Sequence, residues 1–277
     1  MYRAIVFCLA LFLAKASEFQ KVQPKVFPRI TADLSSYERQ SRIVGGEDTM
    51  PNEFPYQAAL FLELEADTGF CGGSLISEKY ILTAAHCVWE VASIEVVLGA
   101  YNIFDVEDTQ IRMKSTEFIM HADYNIKVPR YDIGLVKLPN SIVFTDAIQK
   151  VSLPSFSKAD DTFESLYANF TGWGKIEDDG SISPTLLVST VEIIENRLCN
   201  LYFFGIIKES HVCTDGYRGQ TPCNGDSGGA LVINGVQIGI ASFGFGLGCN
   251  HLWPGAFTRI TSYLEWIQEN SDVMVLP

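Results

Sequence analysis

The 277-residue sequence has no run of about 18 apolar residues, so no segment of it reads as a helix spanning a bilayer, and no membrane is expected as a partner. Basic side chains are scarce, 20 against 33 acidic, and a formal charge of −13 repels phosphate, which argues against nucleic acid as a partner. Glycine (22) and proline (11) are at ordinary levels, which excludes collagen-like and low-complexity chains. No C-x-x-C pair occurs and only His86 adjoins a cysteine, so a zinc site has weak support and no metal or cofactor is expected. Apolar residues recur at helical spacing only near the end, at Tyr263, Trp266 and Ile267. What the sequence does hold is 47% hydrophobic and 12% aromatic residues, enough for a sizeable core, which excludes a disordered chain. The length suits about two domains.

The first residues read as a secretory signal. Arg3 precedes an apolar run from Ala4 to Ala14, and Ala14-Lys15-Ala16 supplies a small-residue cleavage site before Ser17. A short buried helix is the competing reading of the same run. A secreted, extracellular protein follows from the first reading, and Cys8 is then lost with the signal. Six cysteines remain: Cys71, Cys87, Cys199, Cys213, Cys223 and Cys249. An even set in an oxidising compartment implies three disulfides, and spacing does not choose among the 15 pairings. Residues 17–42 have little apolar periodicity, two prolines and no cysteine, and read as an exposed segment ahead of the folded domain. Residues 1–42 hold seven of the 20 basic and three of the 33 acidic side chains. The remainder therefore carries 13 against 30, a formal charge of −17.

From Ile43 onward, short apolar runs alternate with glycine, proline, asparagine and aspartate. Tyr56–Leu64, Gly73–Ser77, Tyr80–Ala85, Ile94–Leu98, Ile133–Leu138, Leu186–Ile194, Ala230–Ile233 and Val236–Ser242 are of strand length, and several carry β-branched residues. The pattern predicts an all-β chain, a sandwich or barrels, as one large domain or two small ones packed together.

Four local patterns bear chemistry: Thr83-Ala84-Ala85-His86-Cys87, Tyr131-Asp132-Ile133-Gly134-Leu135, Gly225-Asp226-Ser227-Gly228-Gly229, and Arg42-Ile43-Val44-Gly45-Gly46. A serine nucleophile needs a base within hydrogen-bond reach and a third group that orients the base. Glycines beside it let backbone N–H groups face a developing oxyanion. Taken singly, each pattern has a plainer reading: a packed histidine, a turn-capping aspartate, a tight turn.

Together the patterns resemble the chymotrypsin-like serine peptidases, with a flavour of the arthropod chymotrypsin and brachyurin-type enzymes. IVGG, CGGSLIS, LTAAHC, YDIGLVKL, TGWGK and CNGDSGG occur in that family's order from Ile43 to about Asn270, and His86, Asp132 and Ser227 are 46 and 95 residues apart. The resemblance implies two packed six-stranded antiparallel β-barrels with a short C-terminal α-helix, the barrels covering about residues 43–150 and 151–262 and the helix about 263–270. It implies a Ser-His-Asp acyl-enzyme mechanism in which Ser227 is the nucleophile, His86 the general base and Asp132 its orienter. The N–H groups of Gly225 and Ser227 form the oxyanion hole. It also implies the pairings Cys71–Cys87, Cys199–Cys213 and Cys223–Cys249.

By the same resemblance the chain is a zymogen. Cleavage after Arg42 frees an amine at Ile43, which pairs with Asp226. The pocket floor falls at Thr221, two positions before Cys223, and the walls at Gly244 and Gly255. An open, uncharged pocket predicts cleavage after Phe, Tyr or Leu, whose burial is worth about 1.5–3 kcal/mol, and disfavours a cation. The implied partners are a protein or peptide substrate, a separate trypsin-like activating protease and protein protease inhibitors. Three departures from the family pattern stand out: Phe243 in place of tryptophan, Ala230 in place of proline, and Ala100 where calcium-binding relatives supply a carboxylate. The acidic cluster Asp105, Glu107, Asp108 reads as a solvated loop, and Asn169-Phe170-Thr171 as a glycosylation sequon abutting the GWG strand. A catalytically silent binding protein of the same fold is the alternative, and the intact triad argues against it. An esterase with a G-x-S-x-G elbow does not fit, because its nucleophile precedes the other triad members in the chain. Digestive, tissue-degrading (including collagen-cutting) and cascade roles stay open.

Overall fold

The computed structural model describes residues 46–177, 179–216, 221–244 and 252–277. The expected signal and activation segments, with Arg42 and Ile43, and Cys249 lie outside the described residues.

Fourteen strands make up the described residues' two sheets. The first contains β2 (Gln57–Glu63), β3 (Thr68–Leu75), β4 (Tyr80–Thr83), β5 (Ser93–Leu98), β6 (Ile111–Ser115), β7 (Glu117–Met120) and β8 (Gly134–Lys137), in the order β6-β5-β2-β3-β4-β8-β7. Only Thr116 separates β6 from β7, so the two are halves of one bent strand. The first half pairs with β5 and the second with β8, which closes a six-stranded antiparallel barrel. The second sheet contains β1 (Glu47–Asp48), β9 (Tyr167–Gly172), β10 (Leu187–Ile194), β11 (His211–Thr214), β12 (Ala230–Ile233), β13 (Val236–Phe243) and β14 (Gly255–Arg259). Its order is β10-β11-β14-β13-β12-β9, closed by β9–β10 pairing into a second six-stranded ring, with β1 attached to β10. Closure leaves few free strand edges.

Alternation builds both cores. In β10 the residues Leu187, Ser189, Val191 and Ile193 point inward while Val188, Thr190, Glu192 and Ile194 point outward, the period of two expected of a half-buried strand. Leu60, Ile81, Val96 and Val136 fill the first barrel, and Phe170, Val191, Val212, Leu231 and Phe257 fill the second. Between them Phe70, Val97, Trp173, Ile182 and Leu186 form a third apolar cluster that seals the seam. The C-terminal helix α2 (Leu264–Asn270) returns across the first barrel and buries Leu264 and Ile267 in its core.

The chain also contains an α-helix that the apolar patterning did not announce, α1 (Asn196–Phe203). Its two turns bury only Cys199 and Phe203, four residues apart on one face, too short a repeat to register as helical periodicity. Phe204 at φ +51° and Gly205 at φ +84° end it in left-handed geometry. No helix among the described residues is long and apolar enough to cross a membrane.

Candidate active site

The strand register brings His86 to Asp132. β4 and β8 run antiparallel with Thr83 opposite Gly134, so the residues leaving β4 lie beside those entering β8. A 3-10 turn over Ala85–Cys87 carries His86, and the Cys71–Cys87 disulfide ties that turn back to β3. Tyr131, in left-handed geometry at φ +58°, turns the chain so that Asp132 points at the imidazole. Its ring stacks on His121 at 4.8 Å, and His121 stacks in turn on Trp266 of α2.

Asp132 is buried and saturated with donors. His86 donates its backbone N–H to Oδ1 at 3.0 Å and its Nδ1–H to Oδ2 at 2.8 Å, and Ser242 Oγ donates to Oδ2 at 2.5 Å. Burial alone would raise the Asp132 carboxyl, but the charge and hydrogen bonds of His86, with Ser242, hold it below the ordinary carboxylate value. An ionised acceptor at Nδ1 fixes the tautomer and leaves Nε2 with its lone pair. His86 Nε2 is itself buried and makes no hydrogen bond.

Ser227 stands across the seam on a turn between Asp226 and β12. Its carbonyl accepts from Gly72 N–H at 2.7 Å, and Cys87 Sγ lies 3.6 Å from the same oxygen, so the turn packs on the disulfide next to His86. The approach is close enough to require glycine. A Cβ on Gly228, which sits at φ +80°, would come within 2.1 Å of Thr83 Oγ1 and 2.5 Å of Gly72 O. Gly225 also has positive φ, +99°, which turns the backbone ahead of the serine.

Asp226 points away from Ser227 into the barrel seam and is fully buried. Gly174 N–H donates to Oδ1 at 2.9 Å and Cys223 N–H to Oδ2 at 3.0 Å. A Cβ on Gly172 or Gly174 would lie 2.2 Å from this carboxyl group, so the two glycines of the GWG run form its cradle. Burial pushes the Asp226 carboxyl up to about 7, against the pull of the two N–H donors.

Three side chains that sequence reasoning missed hold the Asp132 loop from the second barrel. Besides Ser242 of β13, Thr258 Oγ1 of β14 donates to the Asp132 carbonyl at 2.8 Å, and His211 Nε2 of β11 lies 2.6 Å from the Pro129 carbonyl. Burial lowers the His211 imidazole below its ordinary value, which keeps it neutral. All three follow polar or short apolar stretches with no motif of their own. Alternation within the strands was the only available signal.

Among the expected pocket residues, Thr221 is buried, and a Cβ on Gly244 would meet nothing within 4 Å. Gly255 pairs with Thr214, and a Cβ there would lie 2.9 Å from Pro222 Cδ. The disulfide Cys199–Cys213 is present, and Cys223 is disulfide-bonded. Cys71, His86 and Cys87 cluster as metal ligands would, but the two sulfurs are joined in a disulfide and offer no thiolate. Asn169 lies in β9, paired with β10 on one side and β12 on the other, its Oδ1 accepting from Thr190 Oγ1 at 3.0 Å. Glu107 organises its loop, accepting from the N–H groups of Tyr101 (2.8 Å) and Asn102 (3.1 Å).

Two antiparallel barrels that set a buried aspartate–histidine pair against a glycine-flanked serine turn have the frame of the chymotrypsin-like serine peptidases. The trypsin family model matches residues 43–267. Brachyurin from Leptuca pugilator is 44% identical over 232 residues, covering 83% of this chain and 99% of that protein. Collagenase from Hypoderma lineatum is 38% identical over 274 residues, 98% of each chain. The solved structure of HL collagenase superposes with a TM-score of 0.78 at 37% identity, covering 84% of this chain and all of the other. The chain belongs to the trypsin family, and it is a serine endopeptidase of the chymotrypsin-like type.

Proposed function

We propose that this peptidase is secreted as a zymogen, is activated by cleavage after Arg42, and cuts after large apolar residues through Ser227, His86 and Asp132. The observation that carries the catalytic assignment is the buried Asp132–His86 pair with His86 Nε2 left unbonded beside the Ser227 turn. In this reading Nε2 takes the Ser227 Oγ proton as Oγ attacks the substrate carbonyl. The C–O bond that forms makes a tetrahedral oxyanion held by the N–H groups of Gly225 and Ser227. His86, charged and stabilised by Asp132, then protonates the leaving amine, and water repeats the cycle on the acyl-enzyme. A protein or peptide is the substrate. Thr221, Gly244 and Gly255 leave an uncharged pocket with room for Phe, Tyr or Leu.

The buried Asp226 carboxyl supports the activation step. Its cradle offers N–H donors but no cation among the described residues, a costly place for a charge. The amine created at Ile43 supplies the missing charge and holds the oxyanion turn in its working form. A pocket that disfavours cations makes self-cleavage after Arg42 slow, so a separate trypsin-like protease activates the chain, and protein protease inhibitors act on the product. Treating wild-type chain and Arg42→Gln with trypsin tests this. Only the wild type should acquire an Ile43 amino terminus and activity on Phe- and Leu-containing peptides, and an uncleaved variant that is equally active would refute it.

A further inference from the structure

On the outer face of the second barrel lies a groove of about 740 Å³, walled by Tyr167 of β9, by Leu198, Leu201 and Tyr202 of α1, and by Leu252. Tyr167, Leu201 and Leu252 are 65%, 73% and 68% exposed, an apolar cluster of the kind that marks a contact surface. Tyr202 stands edge-on to Trp253 at 5.3 Å, and Glu192 and Asp215 add two carboxylates to the groove. None of the residues assigned to catalysis or to the pocket lines it.

The course of the chain indicates what covers it. β1 runs antiparallel to β10 with Asp48 opposite Leu187 and Glu47 opposite Val188, so a chain continuing backwards through Gly46 heads toward Ser189, Thr190 and Glu192. Thr190 and Glu192 belong to the groove. The segment preceding Gly46 includes Lys21-Val22-Gln23-Pro24-Lys25-Val26-Phe27-Pro28-Arg29, with three cations, three apolar side chains, two prolines and no acid. Gly46 lies 17 positions after Arg29, up to about 56 Å of chain, ample to reach the groove. Proline-spaced segments favour an extended polyproline geometry that aromatic-lined grooves accept, and carboxylates at such a groove select the cations. Opposite net charges on segment and domain favour the encounter.

We propose that Lys21–Arg29 of the activation segment docks in this groove, with Val26 and Phe27 against Leu201 and Tyr202 and its cations near Glu192 and Asp215. The inference rests on the zymogen reading. Because the segment contains no cysteine, it stays associated after cleavage only through this contact. The test uses a fluorescent peptide of residues 17–42 and processed enzyme, wild type and the double variant Leu198→Lys, Leu201→Lys, in anisotropy titrations. Saturable binding should weaken at least tenfold in the double variant and on raising the salt, while hydrolytic turnover, which these residues do not serve, is retained. Absent binding, equal binding to both proteins, or dimers in sedimentation that the variant abolishes would overturn the docking, the last by assigning the groove to a second copy. The Ile43 amino terminus and the onset of activity are read in the same preparation. Their appearance without peptide binding refutes the docking alone, whereas their failure refutes the zymogen reading.

Discussion

The pH dependence of stability in the uncleaved chain tests the strained position of Asp226. Its carboxyl ordinarily titrates at 3.8 and is pushed up to about 7 by burial in the Gly172–Gly174 cradle. A carboxyl whose folded value exceeds its unfolded value favours the fold at low pH, and that advantage is lost as pH rises from about 4 through about 7. About three pKa units at roughly 1.4 kcal/mol each give a loss of about 4 kcal/mol by pH 8. For a chain of this size that is on the order of 8–16 °C in Tm. Asp226→Asn removes the titration. It also costs one N–H acceptor toward Cys223, but that cost does not vary with pH, so the slope carries the information. Thermal unfolding of the uncleavable Arg42→Gln chain, with and without Asp226→Asn, should show the excess loss between pH 4 and 8 only where Asp226 is intact. Parallel profiles would refute the reasoning. Under the proposed activation, which brings the Ile43 amine to Asp226, processed enzyme should lack the excess loss.

Two further substitutions address the chemistry and the pocket. Ser242→Ala removes a donor to the buried Asp132 carboxylate, an interaction worth about 1.5–3 kcal/mol, and should lower kcat roughly ten- to hundredfold with little change in KM; steady-state kinetics showing kcat unchanged would refute the positioning role. Thr221→Asp should move preference toward Arg and Lys, shifting the ratio of kcat/KM for matched Arg and Phe peptides by at least about tenfold, and an unchanged ratio would show that Thr221 does not face the substrate side chain.

Much of this architecture is legible in the sequence. The β-branched runs at Ile94–Leu98 and Leu186–Ile194 are strands, and the structure contains the disulfides Cys71–Cys87 and Cys199–Cys213. Strands β6 and β7 escaped because their outward residues Arg112, Lys114 and Glu117 leave little apolar signal, and β11 because His211 and Cys213 are not strand-like by composition. The anchors Ser242, Thr258 and His211 were invisible for another reason. Each acts across the seam between barrels, more than 80 residues from its partner, and no local pattern encodes such a contact. Glu107 likewise looked like solvated charge, although backbone N–H groups next to it in the fold make it the organiser of its loop.

The central claim is that the imidazole of His86 activates the hydroxyl of Ser227. Reacting processed enzyme with an organofluorophosphonate and locating the adduct by peptide mass measures this directly. One adduct is expected, on Ser227, and His86→Ala should abolish it. An adduct elsewhere, none at all, or one formed at the same rate without His86 would contradict the claim.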